Sequence, residues 1–184
     1  MFKFCPSCAS QNIAFEQNRV FRCPDCGLVY FQNTAAATGC IIAVPDGNSQ
    51  KIMFLVRNKE PSKGKLDLPG GFVDPGEGVL EGLFRELQEE IGWTPPIPES
   101  KSLSDVFTLF ASFPNKYLYK NILYNTCDIY FYVCAPELNE KKLALQEAEV
   151  SGIKFLSPHE INYDDIAFES TRRAVKVYLE KQII

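Results

Sequence analysis

Residues 71–93, Gly71-Phe-Val-Asp-Pro-Gly-Glu77-Gly-Val-Leu-Glu-Gly-Leu-Phe-Arg85-Glu86-Leu87-Gln-Glu89-Glu90-Ile-Gly92-Trp93, restrict this chain more than any other stretch. Asp74-Pro75-Gly76 is a turn signal. Leu80, Leu83, Phe84, Leu87 and Ile91 then recur at helical spacing, which predicts a helix with one apolar stripe facing a core. Gly92 ends the pattern where a C-terminal glycine is expected. Glu86, Glu89 and Glu90 stand at i, i+3 and i+4 on a different stripe. Side chains so placed are roughly 5–6 Å apart at Cβ, and like charges that close destabilise a helix unless something positive neutralises them. Hard divalent cations take carboxylate oxygens, and Mg²⁺ is usually held by one or two carboxylates plus substrate phosphates. A bare Glu-x-x-Glu-Glu would read equally well as a solvated acidic face, so the residues around it carry the decision.

Those residues resemble the Nudix box, G-x5-E-x7-R-E-U-x-E-E-x-G-U, where U is a bulky apolar residue. Gly71, Glu77, Arg85, Glu86, Leu87, Glu89, Glu90 and Gly92 fall in register, and Trp93 takes the last position, where an aliphatic residue is commoner. The resemblance implies an α/β fold, the Nudix α/β/α sandwich with a mixed sheet. It implies catalytic roles for Glu86, Glu89, Glu90, Arg85 and Glu77, the last two as an ion pair fixing the turn against the helix. It also implies a Mg²⁺ (or Mn²⁺) site drawn from Glu86, Glu89, Glu90, a backbone carbonyl of Gly70 or Gly71, and an acid in a later loop, where Glu149 is the candidate. Family members differ in which glutamate is the general base, so none is chosen among Glu86, Glu89 and the loop acid.

Near the start, Cys5-Pro-Ser-Cys8 and Cys23-Pro-Asp-Cys26 form two Cys-x-x-Cys knuckles. Four thiolates close a tetrahedral Zn²⁺ shell and leave no open position, so such a site is structural. Two disulfides or a redox pair are the alternatives. Seven cysteines, an odd number, suit metal binding in a reducing compartment better than a disulfide framework. A segment this short has no core of its own, and metal would supply its folding energy. It resembles a zinc ribbon of the kind that precedes the Nudix domain in NADH-pyrophosphatase-like proteins. The expected division is a ribbon at 1–33 and a hydrolase domain at 34–184, with a zinc ribbon in front of the sandwich. The ribbon carries only Lys3, Arg19 and Arg22 as cations and the chain has a net charge of −4, which argues against nucleic acid as partner. No apolar run approaches the roughly 20 residues of a membrane helix, and the first residues lack a signal-peptide core, so a cytoplasmic protein is expected.

Residues 38–45 and 51–57 are β-branched runs around Pro45-Asp-Gly-Asn-Ser, a hairpin signal. Leu66–Val73 reads as a strand interrupted by Pro69-Gly70-Gly71, where glycine permits close approach of backbone and ligand. Residues 103–113 are expected as strand and 111–117 as a loop. That loop partly echoes an aromatic Ser/Pro/Phe-Pro motif of NADH pyrophosphatases, though the Trp and second Pro are missing, and it nominates Phe113 and Tyr117 for substrate binding. Residues 117–123 and 128–135 are two further expected strands. Glu147 and Glu149 precede the last strand in an ambiguous register, since the family pattern puts Glu where Gly152 stands; two solvated carboxylates are the alternative. His159, the only histidine, reads as a surface residue. Ser170–Glu180 is an amphipathic closing helix.

Together these imply Mg-dependent hydrolysis of a pyrophosphate bond in a nucleoside diphosphate linked to another moiety, with NAD(H), ADP-ribose or a similar dinucleotide leading. A house-cleaning hydrolase of modified nucleoside triphosphates is the second expectation, and a Nudix domain that senses a nucleotide without cleaving it is the third. The partner is a small-molecule nucleotide, with no membrane and with a homodimer left open.

Overall fold

The computed structural model describes residues 2–17 and 19–181, in two units divided between Thr34 and Ala35. The first unit holds three short antiparallel strands, β1 (Ala14–Glu16), β2 (Val20–Arg22) and β3 (Val29–Phe31). Among its described residues the buried side chains are Phe21, Cys5 and Cys23, a core too small to hold a fold by burial alone.

The second unit begins with β4 (Ala35–Asp46), which turns through Gly47 into β5 (Ser49–Arg57). A short β6 (Leu66–Asp67) and helix α1 (Val79–Ile91) follow. A one-turn α2 (Leu103–Val106) leads into the long hairpin β7 (Thr108–Tyr119) and β8 (Ile122–Cys134). β9 (Val150–Leu156) and α3 (Glu169–Glu180) complete the unit. β4 runs antiparallel to β5 but parallel to β8, so the sheet is mixed. β9 lies antiparallel along β5 from Ile52 to Arg57, while β4 and β6 pair with successive parts of β5. β7 is the strand at one edge of the sheet.

The two central strands are buried on both faces, and alternation sorts their side chains. Cys40, Ile42, Met53 and Leu55 face α1 and its Leu83, Leu87 and Ile91. Ile41, Ala43, Ile52 and Phe54 face α3 and its Ala174, Val175 and Tyr178. Helix, sheet, helix is the α/β/α sandwich that the sequence implies. Leu87 is fully buried, so Leu87→Ala is expected to cost about 2–5 kcal/mol.

Three expectations need correction. Residues 117–123 are not one strand but the end of β7, a turn at Lys120-Asn121 and the start of β8. Residues 111–117 are not a loop: they continue β7, with Pro114 opposite Cys127 and Tyr117 opposite Tyr124. Proline is tolerated there because β7 is an edge strand with one side unpaired. Residues 103–106 are helical rather than strand, because Asp105 accepts from the Ser102 backbone N–H at 2.8 Å and closes a capping box.

Candidate active site

The glutamate stripe opens into a cleft of about 260 Å³ on the second unit, lined from the sheet, α1 and the start of α3. The turn before α1 positions it. The Glu81 carboxylate accepts from Gly78 N–H at 2.7 Å and seeds the helix, and Gly92 stops it in the left-handed region at φ 61°. Arg85 is the hub. Its guanidinium donates to Glu77 at 2.8 and 3.1 Å, to the Phe72 carbonyl at 3.0 Å, to Glu86 at 2.9 Å and to Glu89 at 3.0 Å. One side chain thus ties the turn to the helix and neutralises part of the stripe. These hydrogen bonds hold the Glu77 carboxyl below its ordinary range and keep Arg85 charged.

The Pro69-Gly70-Gly71 segment runs beside β4. Cys40 N–H donates to the Pro69 carbonyl at 2.9 Å and Thr38 N–H to the Gly71 carbonyl at 2.8 Å. Gly70 faces the other way, and its N–H donates to Glu90 at 2.9 Å. A Cβ on Gly70, at φ 141°, would collide with the Thr38 carbonyl, and one on Gly71 would come within 2.5 Å of the Glu86 carboxylate. Gly70 therefore requires glycine, because backbone meets backbone in the left-handed region, whereas a side chain at Gly71 would push the Glu86 carboxylate out of place. Of the two carbonyls nominated as metal ligands, that of Gly71 is engaged with β4, which leaves Gly70 the better placed.

Glu90 is 8% exposed, and burial pushes its carboxyl well above the ordinary value; Glu86, Asp67 and Glu149 add to the rise while the Gly70 N–H opposes it. Burial also raises Glu86, against the pull of Arg85. Glu89 is half exposed at the rim. Glu149 lines the same cleft and is paired with Lys59, whereas Glu147 offers only its carbonyl, to Asn58. The structure therefore brings Glu86, Glu89, Glu90 and Glu149 to one cleft. Buried carboxylates held above their ordinary range by burial and by one another fit a hard cation, whose arrival would favour their charged forms. Gly152 lies within β9 opposite Val56.

Tyr117 lines the cleft, with Phe72 at 5.6 Å and Phe168 at 5.5 Å between ring centroids. Phe113 does not line it: its ring lies under the Arg173 guanidinium at 4.1 Å and beside Tyr130, in the core beneath α3. The sequence reading passed over the cations of the cleft. Arg57 pairs with the buried Asp67 at 2.9 Å and lies over the Phe168 ring at 4.8 Å, and Lys59 stands two residues on. Two cations closing an apolar strand in a chain of net charge −4 were the available signal. Asp128 and Thr126 were missed as well. Three buried side-chain atoms among the described residues lack a hydrogen-bond partner, Thr38 Oγ1, Arg57 Nη2 and Thr126 Oγ1, and all three residues line this cleft.

In the first unit Cys5 Sγ lies 3.6 Å from Cys26 Sγ, and Cys8 Sγ 3.6 Å from Cys23 Sγ. All four sulfurs lie within 4.8 Å of one another. A disulfide would need about 2.05 Å. A tetrahedral shell with Zn–S of about 2.3 Å separates its sulfurs by about 3.8 Å, so the set fits Zn²⁺.

A mixed sheet between two helices, with a carboxylate cleft at a Gly-Gly turn, defines a class, and comparison with known proteins gives it a name. Residues 33–176 match the NUDIX domain family, and the chain belongs to that family. It is 47% identical over 58 residues to an ADP-ribose pyrophosphatase of Methanocaldococcus jannaschii, covering 32% of each chain. It is 32% identical over 90 residues to the NAD-capped RNA hydrolase NudC of Pseudomonas aeruginosa, covering 49% of this chain and 31% of that one. The chain thus spans about a third of the length of these curated relatives. Among solved structures, a NUDIX hydrolase from Nitrosomonas europaea superposes with a TM-score of 0.64 at 22% identity, covering 98% of this chain and 92% of that one. The NUDIX domain of Shewanella oneidensis NrtR, crystallised with ADP ribose, gives 0.63 at 17% identity, covering 83% and 90%. At these identities the structures speak for the fold. No helix among the described residues is long and apolar enough to cross a membrane.

Proposed function

We propose that this chain hydrolyses the pyrophosphate bond of a nucleoside diphosphate linked to another moiety, with ADP-ribose or an NAD(H)-type dinucleotide as substrate. The observation that carries the reading is one cleft in which Glu86, Glu89, Glu90 and Glu149 stand with Arg57 and Lys59. Acids and cations side by side suit a polyanion that arrives with its own counter-ions. The relatives named as acting on ADP-ribose or NAD caps support the choice of substrate class.

Glu86, Glu89, Glu90 and Glu149, with the Gly70 carbonyl, would hold Mg²⁺ or Mn²⁺, which when bound neutralises phosphate charge and acidifies a water. The chain's own residues do the rest. Arg85 fixes Glu86 and Glu89 in register with the turn. Gly70 N–H orients Glu90. Arg57 lines the cleft with one N–H unpartnered and would serve a phosphate, and the Lys59 ammonium would be freed for the substrate when Glu149 takes another partner. A carboxylate of the set removes the proton of the attacking water. Cys5, Cys8, Cys23 and Cys26 would hold one structural Zn²⁺.

A substrate panel tests the reading. With Mg²⁺, ADP-ribose should give AMP and ribose 5-phosphate by chromatography, and NADH should give AMP and the reduced mononucleotide. Brisk cleavage of nucleoside triphosphates, with linked diphosphates left intact, would replace it with the house-cleaning reaction.

A further inference from the structure

We propose that the floor of the cleft around Asp128 reads the exocyclic amino group of an adenine-type base, an inference that rests on the pyrophosphatase reading above and names the half of the substrate it selects. Asp128 is 8% exposed and has no salt bridge among the described residues. Its Oδ2 accepts from Ser170 Oγ at 2.6 Å and from Asn115 Nδ2 at 2.9 Å. Its Oδ1 accepts from nothing among the described residues, and the residue lines the cleft. That oxygen is open to the cleft rather than sealed in the packed interior, and with Oδ2 held by two donors it stands ready to accept from an N–H of a ligand. Thr126 lies two residues earlier on the same face of β8, is 2% exposed, and carries one of the unpartnered buried hydroxyls. Asn115 spends its N–H on Asp128, which leaves its own carbonyl oxygen as a further acceptor.

The floor is therefore a set of acceptors with one free hydroxyl, flanked by the rings of Tyr117 and Phe168. The ligand that matches is flat, apolar on its faces and rich in N–H at its edge. An aminopurine fits. A 6-oxopurine would turn a carbonyl oxygen toward a carboxylate. The plainer role for Asp128 is to tie α3 to β8 through Ser170, and that role predicts no selectivity between bases.

The substitution Asp128→Asn separates the two. Ser170 and Asn115 both donate to the Oδ2 position, so they would hold the amide oxygen there and turn the NH₂ toward the cleft. An acceptor becomes a donor with no change in size. Binding of AMP, IMP and purine riboside 5′-monophosphate, which lacks the 6-amino group, is measured by calorimetry on wild type and on Asp128→Asn. Wild type should bind AMP roughly 10-fold or more tighter than the other two, and Asp128→Asn should move the AMP:IMP ratio toward IMP by a similar factor, the scale expected when a site built for a hydrogen bond loses or reverses it. Equal binding of the three nucleotides by wild type overturns the inference, as does a folded Asp128→Asn with the wild-type ratio. If the variant does not fold, the wild-type series decides alone. Hydrolysis of ADP-ribose, assayed in parallel, keeps the two claims apart. Hydrolysis without base selectivity removes the amino-group reader and leaves the pyrophosphatase. Base selectivity without hydrolysis of any linked diphosphate does the reverse.

Discussion

The two metal-directed regions of this chain are built on opposite plans. In the cysteine unit the four ligand atoms already lie within 4.8 Å of one another, around a core of three buried residues. In the glutamate cleft the acids share a wall but are spread along it, and each is partnered in the meantime: Glu86 and Glu89 by Arg85, Glu149 by Lys59, Glu90 by a backbone N–H. Behind them stands a full two-sided core. The first region has too small a core to stand by burial alone, so the proposed zinc would be structural and enclosed. The second has a core of its own, so the proposed cation would be free to come and go with a substrate's phosphates. Ligand convergence thus tracks how much of the local stability the metal must supply.

The largest effect that would break this comparison is on turnover. Glu86→Gln and Glu90→Gln keep size and remove charge, and each should lower kcat by roughly 10²–10⁴, the range for a positioned acid–base group. Next is the closed site. A Cys23→Ser/Cys26→Ser double variant should drop from about one zinc per chain, as four ligands require, to almost none by elemental analysis; full retention would mean the knuckles are not the site. A smaller effect is expected at the hub. Arg85→Lys keeps the charge but loses the fork that reaches Glu77, Phe72 and Glu89 together, and should cost about 1–3 kcal/mol in denaturant unfolding.

Acid should also sharpen the picture. The folded-state pKa of Glu90 lies well above 4.5, so the native protein binds that proton more tightly than the unfolded chain does. In metal-free protein this contribution is complete below about pH 4.5 and is lost as pH rises through the folded value. Stability measured across that window should decline in wild type and stay flatter in Glu90→Gln. The smallest effect belongs to Glu81→Gln. Glu81 caps the helix and does not line the cleft, and glutamine serves a capping box nearly as well, so activity should stay within about twofold.

What the sequence revealed follows the same division. Ligand sets demand fixed spacings, so the box at 71–93 and the knuckles at 5–8 and 23–26 could be read directly. The continuous apolar runs at 38–45 and 51–57 marked a pair of strands. Pro114 and Asn115 misled, because their loop character is local while the tolerance of an edge strand for proline is a property of the whole sheet. Phe113 and Tyr117 share a face of β7, yet one lies under α3 and the other beside the cleft, a distinction set by where α3 begins. Asp128, Thr126 and Arg57 leave no periodic trace. A single polar residue in an apolar strand declares itself only when the surrounding strands show which face is open.

The comparison is tested most directly by a chelator. The purified protein is dialysed against EDTA, assayed for ADP-ribose hydrolysis with and without added Mg²⁺, and analysed for zinc at each stage. The open cleft should lose its activity in chelator and regain it on Mg²⁺ alone, while any zinc that the chelator removes should come from the cysteine unit and should not be needed again for turnover. Activity that persists in chelator, or that returns only with zinc, would contradict the account.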